Sequence, residues 1–247
     1  MKLDLFCAVI LLQIFLDVNG HGMVVDPVNR ASRWRFDKTA VKDYNDNSLF
    51  CGGFAEQWKV YGGKCGLCGD SYGDSRPRAH ELGGKYGQGT IVKSYIQGSK
   101  IKIKVNLTMN HLGRFFFKIC NLDTYKVESD KCFSKWPVTL PSGKNYKLNS
   151  SANGQFKITL KLPKNLSCNK CVFQWTWITA SNFNICPDGI GRKGCGPQEF
   201  FRTCSDIKIK KNRKSSRLEI KQTSRLNFKE TLKLISRTSE TQITLKL

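Results

Sequence analysis

The chain has 247 residues and a formal net charge of +22, with 41 Lys and Arg against 19 Asp and Glu. Past the first twenty positions no stretch approaches the roughly 18 unbroken apolar residues of a membrane helix, which excludes an integral helical membrane protein. The charge favours acidic partners, although the features that follow argue against nucleic acid as one of them.

The chain opens with Lys2, an apolar run from Leu5 to Leu16, and Val18-Asn19-Gly20. This is the pattern of a secretory signal peptide over residues 1–20. Cleavage after Gly20 makes His21 the N-terminal residue, with a free α-amine beside its imidazole. Those two groups together can chelate one ion, which an internal histidine cannot do. The expectation is a secreted, extracellular monomer without membrane attachment. Of 11 cysteines, Cys7 leaves with the signal. The remaining even set is Cys51, Cys65, Cys68, Cys120, Cys132, Cys168, Cys171, Cys186, Cys195 and Cys204. Behind a signal peptide it reads as five disulfides, with the pairing left open. The sequons at Asn106, Asn149 and Asn165 agree with a secretory route.

From His21 to about Arg78 turn residues dominate: Asp26-Pro27, Asn45-Asp46-Asn47, Cys51-Gly52-Gly53, Gly62-Gly63 and Gly69-Asp70. No helical stripe persists there, so a long ordered loop region held by disulfides is predicted. Strand patterns follow. Thr90–Ile96 is β-branched and apolar. Ile101, Ile103, Val105 and Leu107 alternate with Lys102, Lys104 and Asn106, a period of two. Arg114–Cys120 is aromatic-rich. Phe156, Ile158, Leu160 and Leu162 alternate again, and Cys171–Ile178 is a dense apolar run carrying Trp175 and Trp177 on one face. Many short strands with little helix predict a mainly β fold: an immunoglobulin- or fibronectin type III-like β-sandwich with long disulfide-stapled loops. The cysteine-bearing domain is expected to span 21–206. Residues 207–247, rich in Lys, Arg, Ser and Thr, read as a basic, disordered tail.

Only three histidines are present: His21, His80 and His111. His111 falls in Asn110-His111-Leu112-Gly113, between two predicted strands. A lone loop histidine is ordinarily just solvated, but the pairing with His21 changes the reading. The His21 amine and imidazole with a second imidazole from His111 give three nitrogens on one ion. Such a donor set suits copper, zinc and nickel, with divalent copper at the top of the affinity order, and a flat arrangement suits copper better than tetrahedral zinc. The two C-x-x-C pairs invite a zinc reading too, but secretion and the even count favour disulfides. No H-E-x-x-H is present, which argues against a zinc-dependent hydrolase. His80 reads as a surface histidine held by Glu81, with substrate contact as the alternative. Trp175 and Trp177 read as core packing sooner than as a sugar platform.

Several further segments carry a resemblance. They are His21-Gly22 with Asp26-Pro27, Asn29-Arg30-Ala31-Ser32-x-Trp34-Arg35, and Tyr44-Asn45-Asp46-Asn47-x-Leu49-Phe50-Cys51-Gly52-Gly53. They continue with Lys64-Cys65-Gly66-x-Cys68-Gly69-Asp70, His80-Glu81, Gly83-Gly84-Lys85-Tyr86, Asn110-His111-x-Gly113 and Gln174-Trp175-Thr176. The last is Gly194-Cys195-Gly196-Pro197-Gln198-Glu199-x-Phe201-Arg202-x-Cys204-x-Asp206. In this order, behind a signal cut at His21, the chain resembles the lytic polysaccharide monooxygenases, auxiliary activity family 15 (chitin-binding type-4 domain), over essentially all of 21–206.

The resemblance implies one copper ion held by the His21 amine and imidazole and the His111 imidazole. It implies an external reductant, with oxygen or hydrogen peroxide as co-substrate. The family's axial position falls on Phe201, which cannot ligate and would shield one face. Glu199, two residues earlier and on the same face of a strand, would hydrogen-bond at the metal; the alternative is a surface carboxylate paired with Arg202. The implied activity is oxidative cleavage of glycosidic bonds on a crystalline surface, chitin ahead of cellulose. The runner-up is a non-catalytic chitin-binding or copper-carrying module of the same fold. One departure stands out. Where the family commonly has a small alanine two residues before its second histidine, this chain has Met109, a bulkier and oxidisable thioether.

Overall fold

Alternation in sequence becomes alternation in space. In strand β3 (Lys100–Met109), Ile101, Ile103, Val105 and Leu107 are buried while Lys100 and Lys102 face out. β3 is the centre of a three-stranded antiparallel sheet between β1 (His21–Asp26) and β7 (Gly154–Lys161). A second sheet runs β2 (Lys93–Ile96), β11 (Phe200–Lys210), β8 (Cys168–Ile178), β4 (Arg114–Asn121) and β5 (Pro137–Val138), with β6 (Tyr146–Lys147) also on β4. The structure, a computed structural model, describes residues 21–212. The signal peptide expected over 1–20 and the tail from 213 onward lie outside the described residues.

The two sheets pack face to face as the predicted β-sandwich. Ile103, Val105, Leu107, Ile158 and Leu160 of one sheet meet Phe115, Phe117, Phe173, Trp175, Trp177 and Phe201 of the other. Strand β8 is buried along nearly its whole length, because its other face is covered too. There Val172 packs with Leu67, Leu122 and Phe133, supplied by the 64–82 loop and by two short helices, α1 (Leu122–Tyr125) and α2 (Asp130–Lys135). Burial on both faces is why this strand reads as a continuous apolar run.

All ten described cysteines pair: Cys51–Cys65, Cys68–Cys204, Cys120–Cys132, Cys168–Cys171 and Cys186–Cys195. Of the two C-x-x-C pairs, one closes on itself and the other splits between two partners. The long N-terminal region is also pinned by a buried ion network. Arg30 reaches Asp206 at 2.7 Å and Glu128 at 2.6 Å, and donates to the His80 carbonyl. A buried guanidinium requires such partners.

Three expectations change. Residues 21–78 are not loop throughout, since His21–Asp26 forms β1. Its edge position and the mixed His-Gly-Met-Val-Val-Asp pattern hide the period. The tail does not begin at 207: β11 continues to Lys210, with Ile207 and Ile209 buried and in parallel register with Lys93 and Tyr95 of β2. Finally, Thr90–Ile96 is strand only over Lys93–Ile96.

Candidate metal centre

His21 starts β1, and its strand partner at the end of β3 is Met109. The register shifts between His21 and Gly22, turning the terminal residue away from the regular ladder. Gly22 allows this end to lie close on the core. A Cβ there would run into Leu107 and sit 3.4 Å from both Trp175 and Trp177. The Gly22 N–H donates to the Asn47 carbonyl at 2.9 Å, and Thr108 Oγ1 donates to the His21 carbonyl at 3.4 Å.

His111 follows β3 in a short connection to β4 that is tied down on both sides. The Asn110 side chain donates to the carbonyls of Ser150 and Ala152 at 3.0 and 2.8 Å, and its Oδ1 accepts from the Leu112 N–H at 2.8 Å. Leu112 and Gly113 both adopt positive φ, 56° and 95°. At Gly113 a Cβ would also collide with the Ile178 carbonyl, so glycine is required there. The His111 carbonyl accepts from the Ala180 N–H at 2.9 Å.

The half-buried His111 ring lies 6.3 Å from Trp177, and its Nδ1 is buried with no hydrogen-bond partner among the described residues. Burial first, and the nearby His21 charge second, hold its pKa below the ordinary 6.5. A neutral imidazole is the form that binds a metal.

Trp177 joins the parts. Its Nε1 donates to the Leu112 carbonyl at 2.6 Å, and its ring lies 4.9 Å from Phe201, its cross-strand partner on β11. Phe201 is fully buried, between Trp177 and Phe50. Glu199 is buried as well, not on the surface. Its carbonyl accepts from the Thr179 N–H at 3.1 Å, one residue before the Ala180 that binds the His111 carbonyl. The 178–180 backbone thus lies between the His111 loop and the start of β11. Arg202 turns to Thr176 Oγ1 and the Gly66 carbonyl. Sequence reasoning set Trp177 aside as packing. It is packing, and it is also the side chain that ties the Gly22, His111 and Phe201 segments together.

His80 does not join this group, and its expected setting is corrected. It is buried, with Nδ1 2.7 Å from Asp70 and Nε2 2.9 Å from Asp43, and its ring stacks on Tyr86. Glu81 instead pairs with Arg76 and Arg78. Burial alone would lower the His80 pKa, but the two carboxylates outweigh it and leave the value raised. With a carboxylate on each nitrogen, both must donate, which is the imidazolium form. Nothing in the sequence places Asp43 and Asp70 around this ring, because the contact depends on how the 64–82 loop folds on itself and against the segment that carries Asp43.

From Ala180 a hairpin leaves the sandwich: β9 (Phe183–Ile185) and β10 (Gly191–Lys193), closed by Cys186–Cys195. Buried Gln198 holds its base, accepting from the Asn182 N–H and donating to the Asn182 and Cys195 carbonyls. Phe183, Ile185 and Ile190 on it are 67, 69 and 59% exposed.

Residues 21–207 match the family described as lytic polysaccharide mono-oxygenase, cellulose-degrading. Among solved structures, a lytic polysaccharide monooxygenase AA15 from Thermobia domestica, in the Cu(I) state, is 40% identical. That match covers 76% of this chain and 98% of the other, with a TM-score of 0.73. An AA10 lytic polysaccharide monooxygenase from Streptomyces lividans shares the fold at 16% identity and a TM-score of 0.50, over 76% of this chain and 99% of that one. No curated protein sequence matches.

Proposed function

The chain belongs to the lytic polysaccharide monooxygenases, auxiliary activity family 15, and we propose that it cleaves crystalline chitin oxidatively with a copper ion held by His21 and His111. The observation that carries this reading is the meeting of the start of β1 and the end of β3, with His21 in register with Met109, two residues before His111.

The residues fit copper. Every described cysteine is in a disulfide, and among the described residues no group of three or more His, Cys, Asp or Glu could hold an ion. The donors that His21 and His111 offer are imidazole nitrogens, and a third requires the amine freed at His21. Copper held by His21 and His111 would supply one-electron chemistry toward oxygen or hydrogen peroxide, given an external reductant, for oxidation at carbon 1 or carbon 4 of a glycosidic linkage.

The chain does the rest. The His21 amine, with an ordinary pKa of about 7.7–8.0, sheds its proton near neutral pH. His111 is kept neutral by burial and by His21. Phe201 fills the space against Trp177 without offering a donor atom, and keeps water out. Glu199 is proposed to hydrogen-bond at the reacting face. The hairpin rooted at Ala180 extends that face with Phe183, Ile185 and Ile190, apolar side chains suited to lie on sugar rings. The protein would work as a secreted monomer on a flat surface.

A second reading, a copper-holding, chitin-adhering protein without turnover, draws on Met109 standing opposite His21, a bulkier side chain than the alanine the family commonly has there. Mass spectrometry decides between them. The processed protein, loaded with copper and given a reductant, is offered β-chitin and cellulose. Oxidised chito-oligosaccharides are expected. Oxidised cello-oligosaccharides alone would reassign the substrate, and neither product with copper bound would establish the second reading.

A further inference from the structure

The outer face of the three-stranded sheet carries a charge pattern that stability does not call for. Strand β3 points Lys100, Lys102 and Lys104 outward, between buried Ile101, Ile103 and Val105. Strand β7 points Lys157 and Lys161 to the same side. Lys100 stands opposite Lys161 and Lys104 opposite Lys157, with Lys102 opposite Thr159. Like charges directly opposite in a sheet are destabilising. Among the described residues none of the five lysine ammonium groups has an ion-pair or hydrogen-bond partner. Asp26, the sole acidic residue of the three strands, is in register with Lys104 but paired with Lys93.

Lysines on an edge strand ward off strand addition, which accounts for those of β7. Strand β3 is central, so its three lysines guard no edge. On β1, Met23 stands opposite Asn106 and is buried against Ser32. The remaining outward residues of β3 and β7 are Thr108, Gln155, Thr159 and the sequon residue Asn106, two positions beyond Lys104. All can hydrogen-bond, and none is aromatic or aliphatic. A membrane-surface binder needs apolar side chains to insert. A single-strand nucleic-acid binder needs aromatic platforms for the bases. This face has neither. It has lysine positions ~6.6 Å apart along β3, two of them with a lysine about 4.8 Å across on β7, and hydroxyls and amides between them. That row of cations is complementary in charge to sulfates or carboxylates carried along a polysaccharide chain.

We propose that the outer face of this sheet is a docking surface for a linear anionic polysaccharide, distinct from the candidate metal centre. Lys104 is about 17 Å of strand from Met109, so a bound chain would hold the protein on an acidic matrix and leave the His21 end free.

The test uses the full processed chain on immobilised heparin (sulfate) and hyaluronan (carboxylate), eluted with salt. The K102T/K104T/K157T variant keeps β-branched residues suited to strands, and circular dichroism checks its fold. A control, K59S/K131S/K170S, removes equal charge from the other sheet and from segments outside the three-stranded one. Wild type is expected to be retained, with affinity falling roughly tenfold in the sheet variant and much less in the control. Retention on heparin alone assigns sulfated chains, and retention on hyaluronan as well extends the assignment to carboxylated ones. Equal losses in both variants, no loss in the sheet variant, or tighter wild-type binding to duplex DNA or to phosphatidylserine vesicles would overturn the proposal.

Discussion

His111→Ala removes one of two imidazoles, and with it tight copper binding is expected to disappear in calorimetry while the unfolding midpoint stays near wild type. Met109 is a separate question. Replacing it with alanine opens the side of the site facing His21, so oxidised product yield is expected to rise severalfold with copper affinity unchanged. An unchanged yield would show that the thioether does not crowd the site.

His80 sets a pH dependence of its own. Its pKa is raised in the fold by Asp43 and Asp70 against the opposing effect of burial. That stabilisation is present below the ordinary value of 6.5 and is lost as pH rises through the raised value. Asp43 is lowered despite burial, chiefly by its His80 hydrogen bond. Its share is present above the ordinary 3.8 and is lost as pH falls through the lowered value. Denaturant unfolding from pH 5.5 to 8.5 should therefore show falling stability in wild type and a flatter profile in His80→Gln. A parallel fall in both would assign the slope to other groups.

At the scale of elements, the turn after β3 aims His111. Gly113→Ala demands positive φ of a residue with a Cβ and drives that Cβ into the Ile178 carbonyl. A loss of about 2–3 kcal/mol is expected in chemical denaturation, with weakened copper binding as the loop shifts. The β9–β10 hairpin makes the opposite case. Phe183→Ala removes an exposed ring near the hairpin's base, so stability and copper affinity should hold while adsorption to β-chitin falls. Unchanged adsorption would remove the hairpin from the substrate face.

These elements were unequally legible in sequence. Strands β3, β4, β7 and β8 could be read because their period of two, or their unbroken apolar run, reports burial directly. Strand β1 could not, since a short edge strand beginning in His-Gly has no repeat to show. The end of β11 was misread because alternating Ile207 and Ile209 sit among lysines that make the segment look like tail. The site divides the same way. His21 and His111 could be named from chemistry and motif. The link through Trp177, the burial of Glu199 and the aspartates around His80 depend on contacts between distant segments.

For the whole molecule, cleavage and chemistry are one event on this account. A chain that still carries residues ahead of His21 keeps the sandwich and its five disulfides but has no free amine to give. Copper at a hundredfold excess over its dissociation constant stabilises a protein by about 2.7 kcal/mol. Copper should thus raise the unfolding midpoint of the cleaved chain and leave that of the uncut chain in place. The most direct measurement is a calorimetric copper titration of protein beginning at His21 beside the same protein with one methionine added ahead of it. One tight site in the first and its loss in the second is the expected result. Equally tight binding by both would contradict a metal centre built on the His21 amine.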